Sequence, residues 1–408
     1  MRIRTQNRVN VITAHEVSVT NWRKIRAISF ARAISFLGSE LTVFALILRE
    51  KDSGASTVSV LLILGMLPLI LFAPWAGLIA DKYSTREVVL TSSLIQAGLI
   101  FSLTIDGPHW VVFATLFLAN TCGSVANPAW GALLPTLCTK DDLPRALGFS
   151  QSIFALAGLL APALAGLLVS TSGFYWPFVI DAITFLFIAT MPVALRVNRI
   201  RAVEVTGQKN GAMEGINFLF REPLLRALLI LLTIFILALG VVNVGEVFLV
   251  TEELGASYFI YGLVGTAFAL GALLGSTGSA SAKIPETKHV QIVILGLTLL
   301  SVAVLGIALA WHWGVVLAFS LLAGIGNSII NAYAVGIFIN RSDPAIQGRI
   351  LAGVSGVINV GLITAMGLAG VMIGVFGVRE VLFVGGLLSI AVLAIMTPAV
   401  LRHAPRVA

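Results

Sequence analysis

An all-α membrane protein with twelve transmembrane helices in two six-helix bundles is the fold class this sequence predicts. Three observations carry that expectation. Of 408 residues, 58% are hydrophobic and only 11% charged, with a mean hydropathy of +0.99; soluble domains are about 45–50% apolar. Apolar stretches of about 18 residues or more, the length that crosses a hydrocarbon core of roughly 30 Å as helix, recur from end to end. The basic residues fall into every second connection between those stretches, as expected when one set of loops faces the cytosol.

The spans are expected near 27–48, 58–80, 88–105, 110–135, 146–170, 174–195, 224–250, 258–280, 290–310, 314–339, 350–376 and 380–400. Before the first lies a polar tail, residues 1–26, which lacks the apolar core of a cleaved signal peptide. The longest break, residues 196–223, divides six spans from six (27–195 and 224–400), and residues 401–408 form a short basic tail. Within the break, Met213, Ile216, Phe218, Leu219 and Phe220 cluster as on a short amphipathic helix lying on a membrane surface. Arg23, Lys24 and Arg26 precede span one, Lys82 and Arg86 follow span two, and Arg196, Arg199, Arg201 and Lys209 follow span six. The opposite connections hold only Arg49, Lys51 and Arg379, which places both termini in the cytosol. The net charge of +7 is thus distributed for a membrane and not for nucleic acid.

The two halves echo each other at an offset near half the chain. Ala129 and Gly131 recur as Ala334 and Gly336, Gly148 as Gly353, and the GFYWPFV that opens span six as the GVREVLFV that opens span twelve. Two six-helix repeats with a site between them at the midplane follow.

Enzyme chemistry finds no support. There is no Gly-Lys dipeptide and hence no phosphate loop, GFSQS near residue 150 lacks the last glycine of a nucleophile elbow, and the five histidines never approach HExxH spacing. No cofactor or metal is expected. Cys122 and Cys138 are predicted on one helix sixteen positions apart, roughly 24 Å, too far to pair.

Charged residues inside spans point to function, because each costs about 2.5–3.5 kcal/mol or more at a helix centre unless it faces protein or water. Arg32 and Glu40 are eight residues apart on span one and are expected to line one cavity; Asp181 lies inside span six and Glu246 inside span seven, the counterpart of span one. These four are the proton-coupling candidates, since a carboxylate facing a cavity can change protonation as access changes. Asp181 also reads as a structural hydrogen-bonding group. Glu252 and Glu253 are expected at the outer surface. Asn120, Asn127, Gln151, Asn243, Asn327 and Asn331 offer neutral hydrogen bonds to cargo or serve as interhelical contacts.

Between spans two and three stands GLIADKYSTRE, residues 77–87. It resembles the signature loop of the major facilitator superfamily, G-x-x-x-D-(R/K)-x-(G/S)-x-(R/K)-(R/K), with Gly77, Asp81, Lys82, Ser84 and Arg86 matching and Glu87 departing from the last basic position. The resemblance implies a gating role for this loop, with Gly77 allowing close helix packing. AGLLAPALAG at 157–166 resembles the antiporter signature G-x-x-x-G-P-x-x-G-G, keeping Pro162 and Gly166, with Gly158 beside alanines where glycines are usual. Span four lacks the arginine of the L-x-R-x-x-x-G pattern: Ala119 stands in its place before Gly123. FARAISFLGSELTVFAL, YWPFVIDAITFL and EGINFLFREPLLRALL look like the branch holding macrolide-efflux, actinobacterial tetracycline/aminoglycoside-efflux and enterobactin-export proteins. That branch implies a secondary transporter in a bacterial cytoplasmic membrane, a monomer, exporting amphiphilic small molecules in exchange for protons. An uptake permease and a non-transporting receptor or assembly factor are the alternatives.

Overall fold

A computed structural model describes residues 19–196, 211–282, 284–344 and 346–404; the outer parts of both tails and residues 197–210 of the central break lie outside the described residues. The described chain is helical throughout. The first half comprises α1 (Trp22–Glu50), α2 (Ala55–Leu71), α3 (Ala73–Lys82), α4 (Thr85–Ser102), α5 (His109–Leu133), α6 (Leu143–Ser172) and α7 (Tyr175–Ala194). The break contains α8 (Gly211–Arg221), and the second half follows as α9 (Pro223–Leu239), α10 (Val242–Phe248), α11 (Tyr258–Ser281), α12 (His289–Ala308), α13 (Trp313–Asn340), α14 (Gln347–Phe376) and α15 (Val378–His403).

Ten membrane-length helices are found among the described residues. The other two expected spans are the ones whose sequence is least suited to a continuous apolar rod. Span two breaks at Phe72 into α2 and α3, flanked by Pro68 inside α2 and a proline at the start of α3. Span three, α4, opens on TREVVLTSS and is polar in its first turns. Its start is fixed by a capping box: Ser84 Oγ accepts from the Glu87 backbone N–H at 3.2 Å, and Glu87 Oε2 accepts from the Ser84 N–H at 3.2 Å. The departure from the signature loop at Glu87 therefore completes a helix cap.

Within the first half α1 packs on α6 and α7, α4 on α5 and α7, and α2 on α5. Within the second α9 packs on α14 and α15, α12 on α13 and α15, and α11 on α13. The halves meet along two helix pairs, α6 with α11 and α2 with α14. The internal repeat is visible in the backbone. Gly173 (φ 76°) ends α6 and Gly377 (φ 91°) ends α14, each with its N–H returned to the carbonyl four residues earlier, Val169 and Ile373. Both occupy the left-handed region where glycine is the favoured residue, and each admits the last helix of its half.

One expectation is corrected. Cys138 lies beyond the end of α5, after a short 3₁₀ turn at Leu134–Leu137, so the cysteines do not share one helix; both are free thiols. Helix α8 packs against α14 and α9, with Leu219 fully buried in the second half's apolar core and Phe220 exposed, so it is docked on protein as well as amphipathic. The side chains of Met213 and Ile216 lie outside the described residues.

Candidate functional site

The contacts that join the halves gather at the face remote from the start of α1. Here Gly166 of α6 lies against the α11 backbone, where an added Cβ would stand 3.0 Å from Phe259 Cα. A Cβ at Gly265 would stand 2.9 Å from Pro162 Cβ, and Thr266 Oγ1 donates to the Leu159 carbonyl at 3.1 Å. The stretch 157–166 therefore builds a seam with α11: small residues let the backbones touch, as membrane helices require when dispersion and not water drives packing. On the second pair, Ser56 Oγ donates to the Gly370 carbonyl at 3.2 Å. Lys51, just after α1, pairs across the halves with Glu252 at 3.5 Å and stands 5.9 Å from the centre of the Tyr258 ring. Glu252 and Glu253 lie in a π-helical turn, Leu249–Glu253, and Glu253 pairs with Arg379 at 3.3 Å. Phe44 and Tyr261, 5.6 Å apart, meet across the halves beneath this closed face.

The four charged residues expected in the spans separate into different surroundings. Asp181 is fully buried, and its carboxylate accepts from Thr42 Oγ1 at 2.7 Å, Thr184 Oγ1 at 3.3 Å and Ser39 Oγ at 3.4 Å. It sits inside the α1–α7 contact, where a Cβ at Gly38 would meet Asp181 Oδ1 at 2.8 Å. Asp181 is thus a clamp between two helices of one half, away from the space between halves. Glu40, on the next position after Ser39, is half-buried and makes no hydrogen bond or ion pair among the described residues. Glu246 on α10 is half-buried and accepts one hydrogen bond, from Ser320 Oγ of α13 at 3.2 Å. Arg32 is half-buried, with its guanidinium carbon 5.1 Å from the Phe154 ring centre and 5.9 Å from that of Trp130.

The amide candidates also divide. Asn120 donates to Leu116 O at 2.9 Å, Asn243 to Gly240 O at 3.3 Å, and Asn331 to Asn327 O at 2.8 Å, each within its own stretch of helix. Asn127 and Gln151 are exposed. In the signature-like loop Lys82 stands 5.3 Å from the Tyr83 ring centre, and Ser84 is the cap described above. The Asp81 side chain lies outside the described residues, and Arg86 is engaged by a neighbour. A Cβ at Gly77 would meet nothing within 4 Å, so close packing does not require glycine there in this conformation. At Gly158 the nearest atom would be Phe36 Cε1 at 3.6 Å, an ordinary contact.

Two small clefts, about 260 and 240 Å³, lie inside the second half around His289, Tyr333 and Arg341, and neither holds an expected site residue. Among the described residues no cluster of His, Cys, Asp and Glu could hold a metal ion. Sequence reading missed Lys51–Glu252, Ser320, Trp130 and Phe154, which come together only in three dimensions. It also passed over the hydroxyls at Ser35, Ser39 and Thr42, whose spacing of four and three places them on one face of α1, a signal that a buried polar partner stands opposite.

Some known proteins resemble this chain in sequence and others in fold. Macrolide efflux protein A of Streptococcus pyogenes is 31% identical over 158 residues, 37% of this chain and 39% of that protein. The staphyloferrin A transporter of Staphylococcus aureus is 28% identical over 144 residues, 33% of this chain and 36% of that protein. The matched region thus spans about two fifths of the length of these relatives. The multidrug efflux pump Tap of Mycobacterium bovis is 23% identical over 337 residues, 77% of this chain and 78% of that protein. Among solved structures, the nucleoside transporter NupG matches with a TM-score of 0.71 at 15% identity, covering 92% of this chain and 99% of that one. A bacterial homologue of the lysosomal transporter Spinster, in an inward-facing and unoccupied conformation, matches with a TM-score of 0.68 at 11% identity over 95% and 99% of the two chains. The family model of the Major Facilitator Superfamily matches residues 28–275 and 232–407, and the chain belongs to that superfamily.

Proposed function

We propose that the protein exports amphiphilic small molecules in exchange for protons, by alternating access to the space between its halves. The observation that carries this reading is the pair Glu40 and Glu246. They stand on matched helices of the two halves, half-buried, with no partner and one partner respectively. Carboxylates so placed are available to bind and release protons as access alternates, whereas Asp181 is committed to three hydroxyls. Export is favoured by the names of the relatives, two of which are efflux proteins. The basic loops favour a bacterial cytoplasmic membrane with both termini in the cytosol. On that orientation the closed face is external. The remaining assignments of this reading are two bundles at 27–195 and 224–400, a linker at 196–223, tails at 1–26 and 401–408, a signature loop gating the inner face, and action as a monomer.

The test is uptake of a labelled macrolide into inside-out vesicles, with and without a proton gradient, alongside counterflow. Wild-type protein should accumulate cargo only with the gradient. The double variant Glu40→Gln, Glu246→Gln should lose gradient-driven accumulation and keep counterflow. Accumulation by the double variant with unchanged pH dependence would remove both residues from coupling; gradient-independent equilibration by the wild type would instead make the protein a facilitator.

A further inference from the structure

We infer that Arg32 is an oxyanion-binding site, built to take the carboxylate of an amphiphilic cargo; this names a cargo class for the transport reading above and rests on it. Two other arginines at the ends of spans are held by acceptors. Arg49 donates to Glu50 at 3.2 Å and to the Leu103 carbonyl at 2.9 Å. Arg379 donates to Glu253 at 3.3 Å and to the carbonyls of Ala308 and Ala310 at 2.9 and 2.8 Å. Arg32 has aromatic rings as neighbours and no acceptor. Among the described residues it donates no hydrogen bond and pairs with no carboxylate.

Its N–H groups are nevertheless not sealed in protein. The fully buried polar side-chain atoms without a partner among the described residues are Ser29 Oγ and Ser59 Oγ; the Arg32 nitrogens are not among them, and the residue is only half-buried. A guanidinium is planar, always charged, and carries five donors around its edge in a fork that matches a carboxylate or phosphate. The Trp130 and Phe154 rings stand 5.9 and 5.1 Å from the guanidinium carbon and take none of its N–H bonds, which leaves the donors available. Phe36, with its ring centre 5.5 Å from that of Phe154, extends the apolar shelf along the same side of α1. An acid with an apolar body fits both parts: its oxygens on the fork, its body on the rings.

The same chemistry occurs in a lipid headgroup. Position favours cargo: Arg23, Lys24 and Arg26 at the start of α1 are the basic residues suited to headgroups, and Arg32 lies six residues, roughly 9 Å, further along the helix than Arg26.

The experiment measures binding to the purified full chain in detergent by fluorescence anisotropy, with 4-(1-pyrenyl)butyrate against the neutral 4-(1-pyrenyl)butanol. Wild-type protein should bind the acid about tenfold more tightly than the alcohol, as a charge-assisted bidentate contact provides. Arg32→Gln should abolish the preference while leaving alcohol binding unchanged, which also shows that the apolar surface is intact. Arg32→Lys, which keeps the charge and loses the fork, should retain only part of it. Equal affinities in the wild type, a preference that survives Arg32→Gln, or full retention in Arg32→Lys would each overturn the assignment. Titration with phosphatidylglycerol separates the two sources: displacement of the acid that depends on Arg32 would reassign the site to a headgroup and overturn the cargo proposal, and no displacement supports it. Failure of vesicle transport alongside an intact acid preference would refute the export reading alone; transport without that preference would refute this inference alone.

Discussion

Lys51 and Glu252 meet at 3.5 Å across the boundary between the two halves, and this is an ion pair that ties the first half to the second at the closed face. Lys51 is nearly buried and Glu252 about half exposed, so solvent screens one partner only. Pairs of this kind contribute about 0.2–1 kcal/mol, which corresponds to a population shift of roughly 1.5- to 5-fold. Lys51→Ala should therefore move the conformational equilibrium toward opening of this face by that amount. Spin labels placed on Ser53 and Thr251 would read it by pulsed electron resonance, and an unchanged distance distribution would show that the pair does not hold the face closed.

The seam between α6 and α11 predicts a contrast between glycines. Gly166→Val would press a side chain into the backbone of Tyr258 and Phe259, which cannot rotate away. Overpacking of this kind costs about 1–3 kcal/mol. Gly77→Ala, facing open space inside α3, should not destabilise the chain and should raise its stability by about 0.5–1 kcal/mol. Thermal unfolding in one detergent would compare the two, and equal melting shifts would refute the role given to the seam.

Asp181 should behave as a clamp. Asp181→Ala leaves the Thr42 hydroxyl without its partner inside the protein and should destabilise the chain by about 1–3 kcal/mol. Asp181→Asn, which keeps an acceptor of the same shape, should be milder and should leave the pH dependence of transport as in the wild type, because the carboxylate is fully buried within one half. A displaced pH profile in Asp181→Asn would return this residue to the coupling machinery.

In the loop that carries the family signature, Asp81→Asn should reduce transport while membrane insertion is preserved, as the gating proposal requires. Ser84→Ala should remove the cap of α4 at a cost of about 1 kcal/mol. Expression level and turnover measured side by side distinguish the two effects. Full turnover in Asp81→Asn would reject gating by that residue.

Composition and loop charge determined the membrane class, the positions of the helices and the division into halves, because a bilayer imposes a length and an apolar surface on every span regardless of its neighbours. The repeat was legible for a similar reason: Gly173 and Gly377 occupy a backbone conformation that favours glycine, so the turn leaves its mark in the sequence. The signature loop was legible as a pattern, but the function of Glu87 as a helix cap appeared only with α4 in place. Roles inside the spans were decided by tertiary structure. Sequence alone placed Arg32 near one end of span one, Asp181 one to two turns inside span six and Glu40 and Glu246 deepest, but it did not say which groups surround each of them. What separates them is which groups from other helices stand opposite: three hydroxyls for Asp181, one for Glu246, two aromatic rings for Arg32 and no hydrogen-bonding partner for Glu40. The physical reason is that a charge in a low-dielectric interior takes its role from its nearest few ångströms, and in a helical membrane protein those neighbours come from helices far away in sequence.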